Sequence, residues 1–424
     1  MNSSRRSFLK KAAIIAGMPT IIPASALGRD GHVAPSNRIT VGGIGIGPRG
    51  RIVMRSFLQM PDVRFIAVCD AQTANAETVR RTANRHYNNE DCSVHRNMDE
   101  LLGRKDIDAV LIATSDRWHA PATIRAARAG KDIYCEKPCS MSIDESRELE
   151  EAVTKNGRIF QAGTQRRNVE NFRLACQLAR EGKLGKLHSL HAGIVQLGPY
   201  GQPLPEEPLP DPEQVNWDLW LGPAAERPFN MGYLRGRWRG QEGLFASYGL
   251  PEWGSHTLDL CQWAADADGT TPIEFEPDGK TIHAKYANGV KLVMRTAGFK
   301  NEGEWLGLGT CPVRFEGDEG WVEAGDTGKI AVSDPNLIQN QEPKSTGGTD
   351  ATKHVREFLD CVKSRQAPAC DAKTTRYGHV ACHAAAIAWK LGRKLQFDPV
   401  SATFLGDDEA NSMCKLPRRA AYDV

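Results

Sequence analysis

The hexapeptide Gly45-Ile46-Gly47-Pro48-Arg49-Gly50 constrains this chain more than any other stretch. A β-branched run, Asn37 to Ile44, precedes it and a helical pattern from Arg49 to Met60 follows. Asp70 closes the next apolar run, twenty residues beyond Gly50. In that setting G-x-G-x-x-G belongs to a strand–turn–helix unit that cradles a dinucleotide. Gly45 permits the tight turn, Gly47 lets backbone approach a pyrophosphate, and Gly50 lets helix and strand pack closely. Ile46, Pro48 and Arg49 lie in the same turn, where a helix N-terminus offers free N–H groups to phosphate. Asp70 suits a hydrogen bond to ribose hydroxyls and repels a 2′-phosphate. No arginine lies between it and Asn75, so the pattern leans to NAD, with NADP as the alternative.

The alternation continues. Val63–Cys69 reads as a strand, Ala74–Tyr87 as a helix, "DIDAVLIAT" as a strand, and Pro121–Gly130 as a helix. "DIYCEKP" is a further strand, and Ser142 with Glu145 three positions on has the spacing of a capping box. Arg158–Ala162 closes the set. This rhythm predicts an α/β fold: a Rossmann domain with a doubly wound parallel sheet over 37–163. Beyond residue 165 hairpin turns such as Asn288-Gly289 take over. They predict an α+β domain with an open antiparallel sheet over 164–372, for substrate and oligomer contacts, and a C-terminal helix and tail over 373–424 packing back on the body.

A length of 424 residues suits two such domains. With 54 basic and 52 acidic residues there is no electrostatic case for a nucleic-acid partner. The eleven cysteines are scattered and lack paired C-x-x-C spacing, so no metal site is expected. Cys135 and Cys139 read as buried thiols near a turn rather than a redox pair. The first thirty residues carry Ser4-Arg5-Arg6-Ser7-Phe8-Leu9-Lys10, a short apolar run and Ala24-Ser25-Ala26. This pattern resembles a twin-arginine signal, giving an exported, periplasmic protein with no membrane span once mature.

Ligands of open α/β sheets bind beyond the carboxyl ends of the strands. Thr114-Ser115-Asp116 and Glu136-Lys137-Pro138 both follow such strands. The proline restricts the backbone of Lys137 and accepts a cis bond, aiming the ammonium in one direction. On the residues alone a surface lysine competes with a functional one, and His256 competes with a satisfied structural histidine. Asp259 either orients His256 or caps a helix. Arg166 and Arg167 follow the fifth strand and serve either substrate or interdomain ion pairs. Trp253, like Trp217, Trp220 and Trp238, offers a face to a sugar ring or belongs to the core.

GIGIGPRG, Asp70, Thr114 to His119, Glu136-Lys137-Pro138 and Gly254 to Asp259 together resemble the Gfo/Idh/MocA oxidoreductases. The resemblance implies a lysine, an acidic residue and a histidine as the catalytic set: Lys137, Glu252 and His256. It also implies Thr114, Ser115, Trp118, His119, Glu136 and Gln165 at the cofactor. The family's acidic residue is usually aspartate; Glu252 is one methylene longer. The implied activity is hydride transfer between a secondary alcohol of a carbohydrate, polyol or glycoside and a tightly held nicotinamide cofactor. Two other readings use the same parts: an NAD-dependent glycosidase working by transient oxidation and elimination, and a non-catalytic dinucleotide or sugar sensor. An open sheet face needs covering, which predicts a homo-oligomer.

Overall fold

A computed structural model describes residues 33–297, 305–339, 341, 343 and 347–424. The signal expected over residues 1–30 lies outside them.

The first half contains β1 (Ile39–Ile44), α1 (Pro48–Leu58), β2 (Val63–Cys69), α2 (Thr73–Tyr87), β3 (Ser93–His95), α3 (Met98–Leu102), β4 (Ala109–Ile112), α4 (Asp116–Arg128), β5 (Asp132–Cys135), α5 (Ile143–Lys155) and β6 (Phe160–Ala162). The strands pair in parallel in the order β3-β2-β1-β4-β5-β6. That is the doubly wound dinucleotide order, with its switch point between β1 and β4. Strands buried on both faces read as continuous apolar runs, which is why β4 and β5 are legible. β3 is a short, half-exposed edge strand with no such run. α4 begins five residues before the expected Pro121, which lies inside the helix. Proline removes one hydrogen bond there, and burial of Trp118, Ala120 and Ile124 holds the helix together. At α5 the Ser142 hydroxyl accepts from the Glu145 N–H (3.2 Å), while the Glu145 carboxylate accepts from the Met141 N–H (2.8 Å).

The second half runs α6 (Glu170–Arg180), β7 (Leu187–Ile194), α7 (Trp217–Leu221), α8 (Leu250–Ala264), β8 (Glu274–Asp278), β9 (Thr281–Lys285), β10 (Lys291–Thr296), β11 (Val313–Gly317), β12 (Trp321–Ala324), β13 (Ile330–Val332), α9 (Thr352–Ser364), α10 (Ala372–Leu391), β14 (Leu395–Asp398), β15 (Thr403–Phe404) and α11 (Asp408–Ser412). A nine-stranded sheet forms in the order β13-β12-β11-β7-β10-β9-β8-β14-β15. It is antiparallel except for β7 and β10, which run parallel because a long excursion, not a hairpin, separates them. α6, α8 and α10 cover one face, burying Phe172, Leu258 and Ala384 against Leu190, Leu292 and Phe315.

Two segments make contacts across the expected boundaries. α9 returns to the Rossmann core, where Phe358 meets Phe57 at 6.1 Å and Tyr134 at 5.9 Å between ring centroids. α10 and β14 are integral to the second core: β14 pairs with β8 and α10 contributes buried alanines throughout. Only the segment after α11 packs back as a tail, with Arg418 bonded to Glu145 (3.0 Å) and Glu148 (2.6 Å).

Candidate active site

The turn after β1 opens on a cavity of about 520 Å³ whose wall includes Gly45, Gly47, Asp70, Thr114, Ser115 and Trp118. Gly45 has φ +66°, and a Cβ there would lie 2.3 Å from Thr114 Cγ2. A Cβ on Gly47 would meet nothing within 4 Å, so its backbone is bare toward the open side. A Cβ on Gly50 would lie 2.8 Å from that of Ala113, where α1 crosses the sheet. Pro48 takes the first helical position. Ile46 is fully buried, so only its backbone faces the turn. Burial lifts the Asp70 carboxyl to about 6, although it accepts the Gln72 N–H at 2.9 Å. A bare glycine backbone at a helix N-terminus, with an acidic side chain on the next strand, fits a dinucleotide in chemistry and in room. Among the described residues no cluster of His, Cys, Asp and Glu is placed to hold a metal ion.

Lys137, Glu252 and His256 do not line this cavity; the Lys137–Pro138 bond, just after β5, is cis. Lys137 Nζ donates to the Glu252 carbonyl (2.6 Å) and lies 3.4 Å from the Glu252 carboxylate. The loop that carries it is pinned at each residue that follows. The Pro138 carbonyl accepts from His119 Nδ1 (2.6 Å), and the Cys139 N–H donates to His379 Nε2 (2.9 Å). Because His379 Nε2 accepts, its proton sits on Nδ1 and is given to the Thr375 carbonyl at 2.9 Å. His383, one turn further along α10, holds Ser140 (3.0 Å) on one nitrogen and Ser247 (2.6 Å) on the other. Burial keeps these imidazoles neutral, His119 and His379 near 4 and His383 near 3.

Ser247, Tyr248 and Gly249 all have positive φ (39°, 56° and 88°), a left-handed reversal immediately before α8. Tyr200 clamps it: its hydroxyl accepts the Tyr248 N–H (3.2 Å), donates to the Phe245 carbonyl (3.0 Å), and its ring stacks on Tyr248 at 4.5 Å. The reversal aims the start of α8 at Lys137, and i,i+4 spacing puts Glu252 and His256 on one face. Burial opposes the Glu252 charge, but Lys137 and then Arg239 hold its carboxyl below the usual range. His256 is buried, its Nδ1 has no hydrogen-bond partner, and burial with the charges of Arg166, Lys137 and Arg49 pushes the imidazole well below its ordinary value. It is a neutral imidazole one turn along α8 from the carboxylate that pairs with Lys137.

Asp116, expected at the cleft from its place beyond a strand end but given no role there, belongs to this cluster. Its carboxylate accepts the Ala246 N–H (3.2 Å); burial and the charge of Glu252 raise it to about 7. Its place just beyond the end of β4 is the signal that marks it. Arg239, 3.9 Å from the Glu252 carboxylate, comes from a distant loop that carries no local signal.

Several expected ligands have other work. Arg167, for which an ion-pair role was the alternative, pairs with Asp259. The guanidinium holds both Asp259 oxygens at 2.8 Å and reaches Asp268 at 2.6 Å. Arg166 is bonded to Asp326 at 2.8 and 2.6 Å, with its second terminal nitrogen buried and unpartnered. Trp253 packs with Trp305, Ala297 and Cys311 rather than offering an open face. Gln165 donates to the Gly348 carbonyl (3.0 Å), outside the cavity. His119 supports Pro138 instead of facing the cavity, while Trp118 lines it and donates to the Leu219 carbonyl at 2.9 Å. Ser115 accepts from Arg117 (2.6 Å), and Glu136 lies 3.2 Å from Arg49.

Residues 202–424 match the C-terminal alpha/beta domain of an oxidoreductase family, and residues 39–164 match the NAD-binding Rossmann fold of the same family. This chain belongs to the Gfo/Idh/MocA oxidoreductases. Among relatives of this Gfo/Idh/MocA chain, a 2,7-anhydro-N-acetylneuraminate hydratase of Mediterraneibacter gnavus is 30% identical over 149 residues, covering 35% of this chain and 37% of the hydratase. A glycosyl hydrolase family 109 protein of Shewanella sp. strain MR-4 is 30% identical over 214 residues, 44% of each chain. The chain thus spans under half the length of these curated relatives. The aldose-aldose oxidoreductase of Caulobacter crescentus, solved with glycerol, shares the fold at a TM-score of 0.59. It is 18% identical, covering 85% of this chain and 100% of that one.

Proposed function

We propose that this family member transfers hydride between a secondary alcohol carbon of a sugar, polyol or glycoside and a resident NAD. The observation that carries this reading is geometric: His256, its Nδ1 without a hydrogen-bond partner, lies one turn beyond the carboxylate that pairs with Lys137. When bound, the nicotinamide supplies the hydride acceptor. His256 takes the alcohol proton on a ring nitrogen, for which a neutral imidazole is suited. Lys137 stabilises the negative charge that develops on the alcohol oxygen. Glu252, gripping Lys137 through both carbonyl and carboxylate, fixes the direction of the ammonium. Preference for NAD rests on Asp70. The Arg5-Arg6 segment supports export through a folded-protein route, which suits an enzyme that carries its dinucleotide with it.

A second reading draws on the glycosyl hydrolase relative. Oxidation of a sugar hydroxyl acidifies the neighbouring C–H, permitting elimination of the glycosidic bond, water addition and re-reduction, with no net change in NAD. Purified protein incubated with aryl glycosides and no added cofactor separates the two. A persistent nicotinamide absorbance change marks dehydrogenation, and phenol release marks hydrolysis. For either, His256→Ala is expected to lower turnover by about 10²- to 10⁴-fold with dinucleotide content intact. Failure of the protein to bind NAD at all refutes both.

A further inference from the structure

We infer that residues 213–239, contributed by the second half of the chain, form a strap over the dinucleotide cavity, and that Arg235 and Arg239 supply countercharge to the diphosphate. This rests on the reading of the cavity as the NAD site. The strap is stitched to the backbone just after Asp70: the Thr73 N–H donates to the Gln214 carbonyl (3.0 Å), the Asn216 N–H to the Ala71 carbonyl (2.9 Å), and Gln72 bridges Val215. α7 is then fastened to the start of α4. Arg117 donates to the Leu221 carbonyl (2.8 Å) and its guanidinium lies 3.9 Å from the centroid of Trp220. Gly222 packs so closely on Trp118 that a Cβ would lie 2.2 Å from the indole.

From this anchorage the chain turns back over the cavity, with a break at Gly236 (φ +98°), and both Arg235 and Arg239 line the wall. The third guanidinium of the wall, Arg49, is already paired with Glu136. Arg239 lies 3.9 Å from Glu252 and 4.4 Å over the Trp238 ring and is half-exposed, and the Arg235 guanidinium has no hydrogen bond or ion pair among the described residues. Asp70 is the lone acid of the wall, so the cavity carries excess positive charge where the glycine turn presents its N–H groups. A dinucleotide seated there is held between the turn and the strap, and leaves when the strap lifts.

The test is release of bound NAD, followed by chasing labelled NAD from the full chain with excess unlabelled NAD. Arg235→Ala with Arg239→Ala is expected to speed release on the order of tenfold, and the two lysine replacements to restore most of the retention. ADP-ribose, which keeps the diphosphate, is expected to lose affinity by the same factor as NAD, and adenosine by none. Unchanged release in the alanine variant, or equal loss for adenosine, overturns the strap inference and leaves the cofactor reading standing. No NAD binding by the unmodified protein overturns the cofactor reading itself.

Discussion

Replacing Lys137 with Gln keeps a donor for the Glu252 carbonyl and removes the charge from the Glu252 carboxylate. Coulomb's law at an effective dielectric of about 20 gives about 5 kcal/mol for unit charges at the observed 3.4 Å. Solvent reaching the Glu252 side chain, 26% exposed, and the residual charge of Arg239 at 3.9 Å reduce the net loss to roughly 2 kcal/mol. The sign depends on pH. In the unmodified protein the Glu252 carboxyl is held below its ordinary value, so it stabilises the fold above the unfolded value, and that contribution is lost as pH falls through the folded one. Without Lys137, burial dominates and moves the carboxyl upward, so the variant is destabilised progressively as pH rises. Asp116 moves in the same sense, because Lys137 also favours its charged form. Urea denaturation across about pH 4 to pH 8 is therefore expected to show a stability difference that is smallest at the acid end and grows toward roughly 2 kcal/mol. A difference that is constant across this range, or largest in acid, refutes the pairing of Lys137 with a buried carboxylate.

Gly47→Ala adds a methyl to open space, so its urea midpoint should match the unmodified protein, while NAD affinity measured by calorimetry falls at least tenfold. Arg167→Leu strands the buried Asp259 carboxylate and should cost about 3–5 kcal/mol in urea denaturation. Asp116→Asn removes a buried acid held near 7; stability relative to the unmodified protein should rise as pH climbs from about 4 through 7, read by melting temperature.

The glycine turn, Asp70 and the strand-end lysine were legible in the sequence because their roles are set within a few residues of chain. Burial on both faces wrote β1, β4 and β5 as apolar runs, and the Ser142–Glu145 box announced α5. What the sequence left open was settled by contacts over long separations. Nothing near Arg167 distinguishes a substrate ligand from the partner of Asp259 ninety-two positions on. The return of α9 to the Rossmann core depends on Phe358 meeting Tyr134, and the strap on backbone groups of residues 214–221 meeting residues 71–73 and 117–118. The left-handed run at Ser247 and Tyr248 runs against local preference and persists because Tyr200 and His383 hold it.

The two imidazoles of α10 have a mechanical consequence. They peg the lysine loop through Cys139 and Ser140, and His383 pegs the entrance of the histidine-bearing helix through Ser247. Because Cys139 and Ser140 belong to the first half and α10 to the second, parting the halves would break the contacts that hold the lysine loop in place. Opening by a hinge would cost these contacts, whereas displacement of a surface segment such as residues 213–239 would leave the lysine loop and the histidine helix in register.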